Sequence, residues 1–366
     1  MVASARATVT ATLFRRTKAL FEMRYENDRV FLVQAALLMA WHVEDSDTIS
    51  NNAYHWVGQA TRTAFGLGMH RDLSNRAYSL MPAADRRTYR KLWWAVLQAE
   101  TYTALEYGRP SMIKSEDYDQ PPLEDDDFHN FDGTPDTLAR KDFCLMNAEL
   151  CEIALDVLSL NAPRARWLDA GNIDTRLAEL ATRMPHTHDF WSCQLRINHS
   201  LVTLVSHRCG RTIDSAVLSR EAASTILTTF ETIMAQASIP KCSLHCSTAL
   251  LAAAMQFSQD VKTATETSGS VMRAVTAHAQ LERVLRPMEA LSAYWPHVDA
   301  LHKLCVRLCG RCSERIRDTT VQQAVNGSID ANARGYVDIP LQDIMAGYQL
   351  PDLGQMLVAE DWMNTL

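Results

Sequence analysis

The sequence is poor in the residues that break chains. Thirteen glycines and twelve prolines in 366 residues are too few for a collagen-like or linker-rich chain. They are also fewer than an all-β chain with many tight turns needs. No long hydrophobic run is present. The longest clean one, Val30 to Trp41, lies between Asp28-Arg29 and Glu44-Asp45 and falls short of the roughly 20 apolar residues that cross a bilayer. Residues 1–20 scatter Arg6, Arg15, Arg16 and Lys18 among small residues with no apolar core, so no secretory signal is read there. G-x-G-x-x-G, G-x-x-x-x-G-K-[ST] and G-x-S-x-G are all missing, which removes the usual phosphate-loop and nucleophile-elbow signals. A basic stripe is missing too. The net charge is −7; nine acids and no Lys or Arg fall in residues 116–136, and six acids with only Arg334 fall in residues 319–366. The positive remainder is spread along the rest of the chain. By electrostatics alone this chain is not a nucleic-acid binder.

What is present suits a folded protein. A 47% hydrophobic and 22% charged composition excludes a mostly disordered chain. The length fits one large domain or two ordinary ones. Nine cysteines, an odd number, read as free thiols in a reducing compartment, cytosol or nucleus.

The hydrophobic period is helical nearly everywhere. Phe31, Gln34, Ala35 and Leu38 begin one stripe, which ends near Trp41. Ala53, Trp56, Val57, Ala60, Ala64 and Leu67 follow i, i+3, i+4, i+7 spacing; Asn51 or Asn52 can cap that helix and Gly68 can end it. Asp85 is expected to cap the next, through Leu92, Trp93, Val96, Leu97 and Leu105, with Gly108-Arg109-Pro110 as its stop. Residues 111–137 read as a polar, acidic loop. Helical stretches follow at about 140–160, 173–183, 190–209, 218–236, 244–258 and 268–286. Pro287 and Pro296 are expected to punctuate the last long stretch, which continues to about Arg317. The predicted fold class is all-α.

From about Thr319 the composition changes. Isolated apolars sit among acids: Asp338-Ile339-Pro340-Leu341-Gln342-Asp343-Ile344-Met345, then Asp352-Leu353, Met356-Leu357 and Glu360-Asp361-Trp362-Met363. Residues 319–366 are therefore expected to be a disordered acidic tail after a domain over residues 1–318. Such segments either fold against a partner groove or have no role, and composition leaves both open.

Three pieces between Trp56 and Pro122 carry a resemblance. The first is Trp56-Val57-Gly58-Gln59-Ala60, Ala64, and Leu67-Gly68-Met69-His70-Arg71-Asp72. The second is Arg86-Arg87 followed by Leu92-Trp93-Trp94. The third is Gly108-Arg109-Pro110, then Ile113, Asp117, Asp119 and Pro122. In order and spacing they resemble the regulatory domain of fungal zinc-cluster transcription factors, the middle homology region. Phe14 to Trp41, Leu195 to Arg208 and residues 222–258 are more weakly similar to flanking helices of that family.

Elementary physics gives the same residues structural roles. Gly58 and Ala60 let a neighbouring helix approach closely. Trp93 and Trp94 stand about 100° apart on a helix, so at least one is expected to anchor a core. Arg109, extended by the following proline, is expected to reach Asp117 or Asp119. The family's Asp-Arg in the helix before Gly-Arg-Pro falls on Glu100-Thr101 here, so the pair that arginine makes is lost or replaced.

The resemblance implies a nuclear regulator of RNA polymerase II genes. It also implies an N-terminal six-cysteine cluster holding two zinc ions, which this sequence lacks; its first cysteine is Cys144. DNA reading is thus expected from a missing cluster or a partner factor, with zinc only there. Expected partners are a second copy or a paralogue, a coactivator met by the tail, and a small-molecule effector; no membrane is expected. An interaction protein or repressor without a DNA reader is the first alternative.

Other constellations are weaker. Cys305, Cys309 and Cys312 share a helix face with enough thiols to suggest zinc, but Leu301, Leu304 and Leu308 border that face and favour packing. Cys242, His245 and Cys246, and separately His186 and His188, read as buried or exposed rather than ligating. Asp126-Asp127 with Phe128-His129-Asn130 resembles the aspartate-rich motif of all-α isoprenoid enzymes, which binds magnesium diphosphate. It lies in a loop and no second metal motif accompanies it. The expectation is no enzyme, no metal and no cofactor in this chain.

Overall fold

The computed structural model describes residues 2–42, 52–74, 81–130, 132–137, 140–161, 170–208, 213–266 and 270–329. Among them are eleven α-helices: α1 Val2–Glu22, α2 Arg29–Met39, α3 Ala53–Gly66, α4 Ala83–Tyr107, α5 Lys141–Leu160, α6 Ala170–Arg183, α7 Phe190–His207, α8 Ile213–Ala235, α9 Cys246–Glu266, α10 Val271–Ser292 and α11 Val298–Ile329. The fold is all-α, as the periodicity predicts. The sole extended pairing among the described residues is an isolated antiparallel bridge between His129 and Pro135.

The helix ends follow local chemistry, with two departures. Asn52 rather than Asn51 caps α3, its side chain accepting from the His55 N–H at 2.9 Å. Gly68, at φ 73°, turns the chain just beyond. α4 starts two residues before Asp85, behind Pro82, and Asp85 sits in its first turn without capping. Proline fixes a helix-entry φ, so Pro82 opens the helix without a side-chain acceptor, and Asp85 still meets the positive helix end. Gly108 closes α4 at φ 56°. Pro287 does not end α10, which runs on to Ser292. Leu281, Val284, Met288 and Leu291 are all fully buried on one stripe, and that burial outweighs the bond the proline removes. The break comes at Pro296, after which α11 continues to Ile329, past Arg317 and Thr319. Residues 330–366, most of the expected tail, lie outside the described residues.

The described residues form two compact units, one up to Leu195 and one from Arg196 to Ile329. In the first, Phe14, Met39, Ala40, Ala53, Trp56 and Val57 form a core cluster against Phe21, Ala99 and Tyr107. Trp56 meets Phe14 and Phe21 edge-on, with centroids 6.1 and 5.5 Å away, the geometry an aromatic quadrupole favours. α4 then packs on both α3 and α5. In the second unit α9 packs on α8, α10 and α11. Its run from Cys246 to Ala254 is buried all round, which small Ala side chains permit. Cys305, Cys309 and Cys312 are buried on the inner stripe of α11 beside Leu308. Burial pushes the first two thiols up to about 12 and about 11, and the third upward, the state of inert packing groups.

Candidate functional site

The three sequence pieces converge in the first unit, where the acidic loop after α4 is laced onto α3, α4 and α5. The lacing begins at the left-handed Gly108. Arg109 does not reach Asp117 or Asp119. Its guanidinium lies over the rings of Tyr54 and Tyr107, 4.9 and 5.3 Å from their centroids. The X-Pro bias fixes the Arg109 backbone but not its long side chain, and the two aromatic faces offer a cation–π seat. Tyr54 Oη also donates to the carbonyl of Pro110. Met112 then settles over Gly58, where an added Cβ would come 3.4 Å from the Met112 sulfur. The close neighbour of Gly58 is thus this loop thioether, whereas the sequence suggested a helix. Ala60 is fully buried.

A buried carboxylate anchors this start of the loop. Glu100 on α4 is 1% exposed; its Oε1 accepts the Met112 N–H at 2.7 Å and its Oε2 the Thr61 hydroxyl at 3.3 Å. Burial pushes its pKa up, against the lowering effect of those hydrogen bonds and of Arg62. The neighbouring Thr101 is buried and donates to the Leu97 carbonyl of its own helix, a local bond in place of the family's arginine pair. Sequence reasoning noted both positions only as departures; the burial of a lone acid gives no sequence signal.

The middle of the loop is held by backbone and carboxylate contacts to the turn after α3. Asp119 accepts the Asp72 N–H at 2.9 Å and pairs with Arg71 at 3.1 Å. The N–H groups of Asp119 and Gln120 both donate to the His70 carbonyl, and the buried Gln120 amide donates to Met69 O. Asp117 instead closes its own turn by accepting the Lys114 N–H. The His70 ring packs against Phe65 and Trp93, and burial, with Arg71 adding, lowers its pKa. Leu67 and Gly68 build the turn that brings His70 there.

Both tryptophans are core anchors, Trp93 at 0% and Trp94 at 2% exposure. Trp94 Nε1 also donates to the Pro121 carbonyl at 2.9 Å, leaving the next residue, Pro122, exposed. Tyr118 packs against both indoles and donates to Glu152 on α5 at 2.9 Å. Burial and that carboxylate raise its pKa.

The far end is an ion-pair knot. Asp127 has a fully buried carboxylate that meets Arg90 at 2.8 and 3.1 Å and accepts the Glu124 N–H at 2.8 Å. Arg87 donates to the Asp126 carbonyl, and Asp125 pairs with Lys141. Arg86 turns back to Met81 O. The Asp125 and Asp127 carboxylates thus face different cations, while Asp126 is held through its backbone carbonyl. Among the described residues no three His, Cys, Asp or Glu side chains converge to hold a metal ion. Cys242 and Cys246 are buried, and His186 and His188 are exposed.

The laced region is similar to a known family. The family model described as "Fungal specific transcription factor domain" matches residues 3–160, the span that holds α1 to α5 and every contact above. That match covers somewhat under half of the chain. Two acetamidase regulatory proteins are similar to it: that of Emericella nidulans is 35% identical over 221 residues, 56% of this chain and 26% of its own length, and that of Aspergillus fumigatus 37% identical over 216 residues, 56% and 27%. Cutinase transcription factor 1 alpha of Fusarium vanettenii is 32% identical over 215 residues, 54% of this chain and 23% of its own. The matched stretch thus spans about a quarter of the length of these relatives. No solved structure matches the chain. Within the matched span the motif residues make packing and hydrogen-bond contacts. They fasten one loop to three helices.

Proposed function

We propose that this chain is the regulatory part of a fungal transcription regulator that works in the nucleus on RNA polymerase II genes. The observation that carries the reading is the match over residues 3–160 together with the identity to acetamidase regulatory proteins. The similarity to transcription regulators also supports a non-enzymatic role. DNA reading is assigned to a zinc cluster outside this sequence or to a partner factor, because the charge map here offers no phosphate-binding stripe. Among the described residues no helix is long and apolar enough to cross a membrane. The helical domain is the seat of regulation, through a second copy, a paralogue or a small effector, and the acidic tail is the contact for a coactivator.

A fusion experiment tests this. Residues 1–366 joined to a foreign DNA-binding domain should change a reporter relative to that domain alone. Removing residues 330–366, which leaves α11 whole, should lower the activated level several-fold. A reporter indifferent to the fusion would overturn the regulator reading, and one indifferent to the deletion would remove the tail from it.

A further inference from the structure

Helices α1 and α2 carry apolar stripes that their own unit does not cover. Among the described residues, eight of the fifteen exposed large apolar side chains lie between Val9 and Trp41, a clustering that marks an interaction surface. On α1, Val9, Leu13 and Leu20 are exposed in one row with Arg16, at i, i+4, i+7 and i+11. The buried side of that helix is Phe14, which packs on Trp56. On α2, Phe31 and Leu38 are exposed seven residues apart, while Val33, Ala36 and Met39 are buried. Met23 and Tyr25, each 75% exposed, join the two helices.

The surface also carries a cationic excess, with five Lys and Arg against three acids between Arg15 and Arg29. Arg15, Arg16, Arg24 and Arg29 are exposed. The neighbouring acids are engaged locally: Glu22 pairs with Lys18, Glu26 accepts the Asn27 and Asp28 N–H groups, and Asp28 caps α2. A second copy laid face to face would bring arginines against arginines. The fitting occupant is an acidic segment with its own apolar stripe.

We propose that residues Leu353–Met363 of the same chain dock on this α1–α2 surface. Between Asp338 and Met363 there are five acids and no Lys or Arg. Leu353, Met356 and Leu357 stand at i, i+3 and i+4, flanked by Asp352, Glu360 and Asp361, with Trp362 and Met363 beyond. That is the pattern of a helix laid apolar face down, acids toward the arginines. The chain between Ile329 and Leu353 can extend on the order of 80 Å, several times the roughly 16 Å radius of gyration of a unit of this size. Tethering raises the local concentration of the segment to about the millimolar range. The docking does not depend on the regulator reading, since it concerns the purified chain alone.

The test uses the full chain with a photo-reactive benzoyl-phenylalanine in place of Phe31, or in a second protein Leu38, mixed equally from unlabelled and nitrogen-15-labelled stocks. Cross-linked peptides should join α2 to residues 353–363 of the same isotope. The yield should fall several-fold in 1 M salt, where the screening length is about 3 Å. The same group at Met272, which is 77% exposed on α10, should not capture that segment. A double variant, Leu357→Glu with Trp362→Glu, alters only the occupant and should speed amide exchange in α2 several-fold. Cross-links to another segment, mixed-isotope products, no product, or unchanged exchange would each overturn the docking.

Discussion

Two buried carboxylates, Glu100 and Asp127, show how residues of the same charge do opposite work. Asp127 has a cation against it: Arg90 grips both oxygens. Removing one side of such a pair leaves a charge in poor solvent, which costs about 3 kcal/mol. Glu124 also pairs with Arg90, at 3.2 Å, and keeps part of that interaction. Asp127→Ala should therefore cost about 2 kcal/mol in denaturant unfolding and free the turn around residue 125, while Asp127→Asn should cost less because it can still accept the Glu124 N–H. Glu100 has hydrogen-bond donors but no ion pair, and burial raises its pKa. A carboxyl with a raised folded pKa binds more protons in the folded than in the unfolded state between the two pKa values. Its stabilising contribution is full below the unfolded value of about 4.3 and is lost as pH rises through the folded value. Glu100→Gln keeps an oxygen for Met112 N–H and carries no charge. This variant should be more stable than the parent at neutral pH and should flatten the parent's expected loss of stability as pH rises above the unfolded carboxyl value. Equal pH dependence in urea titrations of the two proteins would refute that role.

Among the elements, what was legible in the sequence was whatever local chemistry decides. α3 could be read from Asn52 to Gly68 because its cap, its stripe and its left-handed stop all lie within its own residues. The three motif pieces were legible as a group because their order is fixed along the chain. Pro287 misled because helix propensity is a local cost, whereas Leu281, Val284, Met288 and Leu291 gain burial from α9 and α11. Arg109 misled for a related reason: proline constrains a backbone, and the choice between carboxylates and two tyrosine faces is made by the fold. Nor could a run such as Asp125-Asp126-Asp127 reveal that only the third enters the core beside Arg90. Long-range contacts of this kind make the loop an element in its own right, and Trp94 tests it. Trp94→Phe keeps a buried ring but deletes the donor to Pro121 O. It should cost about 1 kcal/mol and accelerate amide exchange at residues 118–124 more than in α5. Exchange that changes uniformly over the unit would mean the bond does not hold the loop.

At the scale of the whole molecule, the charge distribution offers little to duplex DNA. The net charge is −7, and its densest acidic stretch is used internally by Arg71, Arg90, Arg87 and Lys141. Those cations are therefore already matched with protein oxygens. The exposed arginines of α1 and α2 alternate with apolar side chains and with Glu22, Glu26 and Asp28, so they line up no row at phosphate spacing. A protein that binds DNA draws most of its affinity from counterions released by such a row, and nonspecific binders typically reach dissociation constants of about 10⁻⁴ to 10⁻⁶ M. The purified chain should therefore show no saturable binding to duplex DNA below roughly 10⁻⁵ M at physiological salt, by fluorescence anisotropy with either mixed-sequence or promoter duplexes. A salt-insensitive baseline is the expected trace. Competition-resistant binding to one promoter sequence would place a DNA reader inside residues 1–366, and the division between a regulatory helical chain and a separate reader would then have to be abandoned.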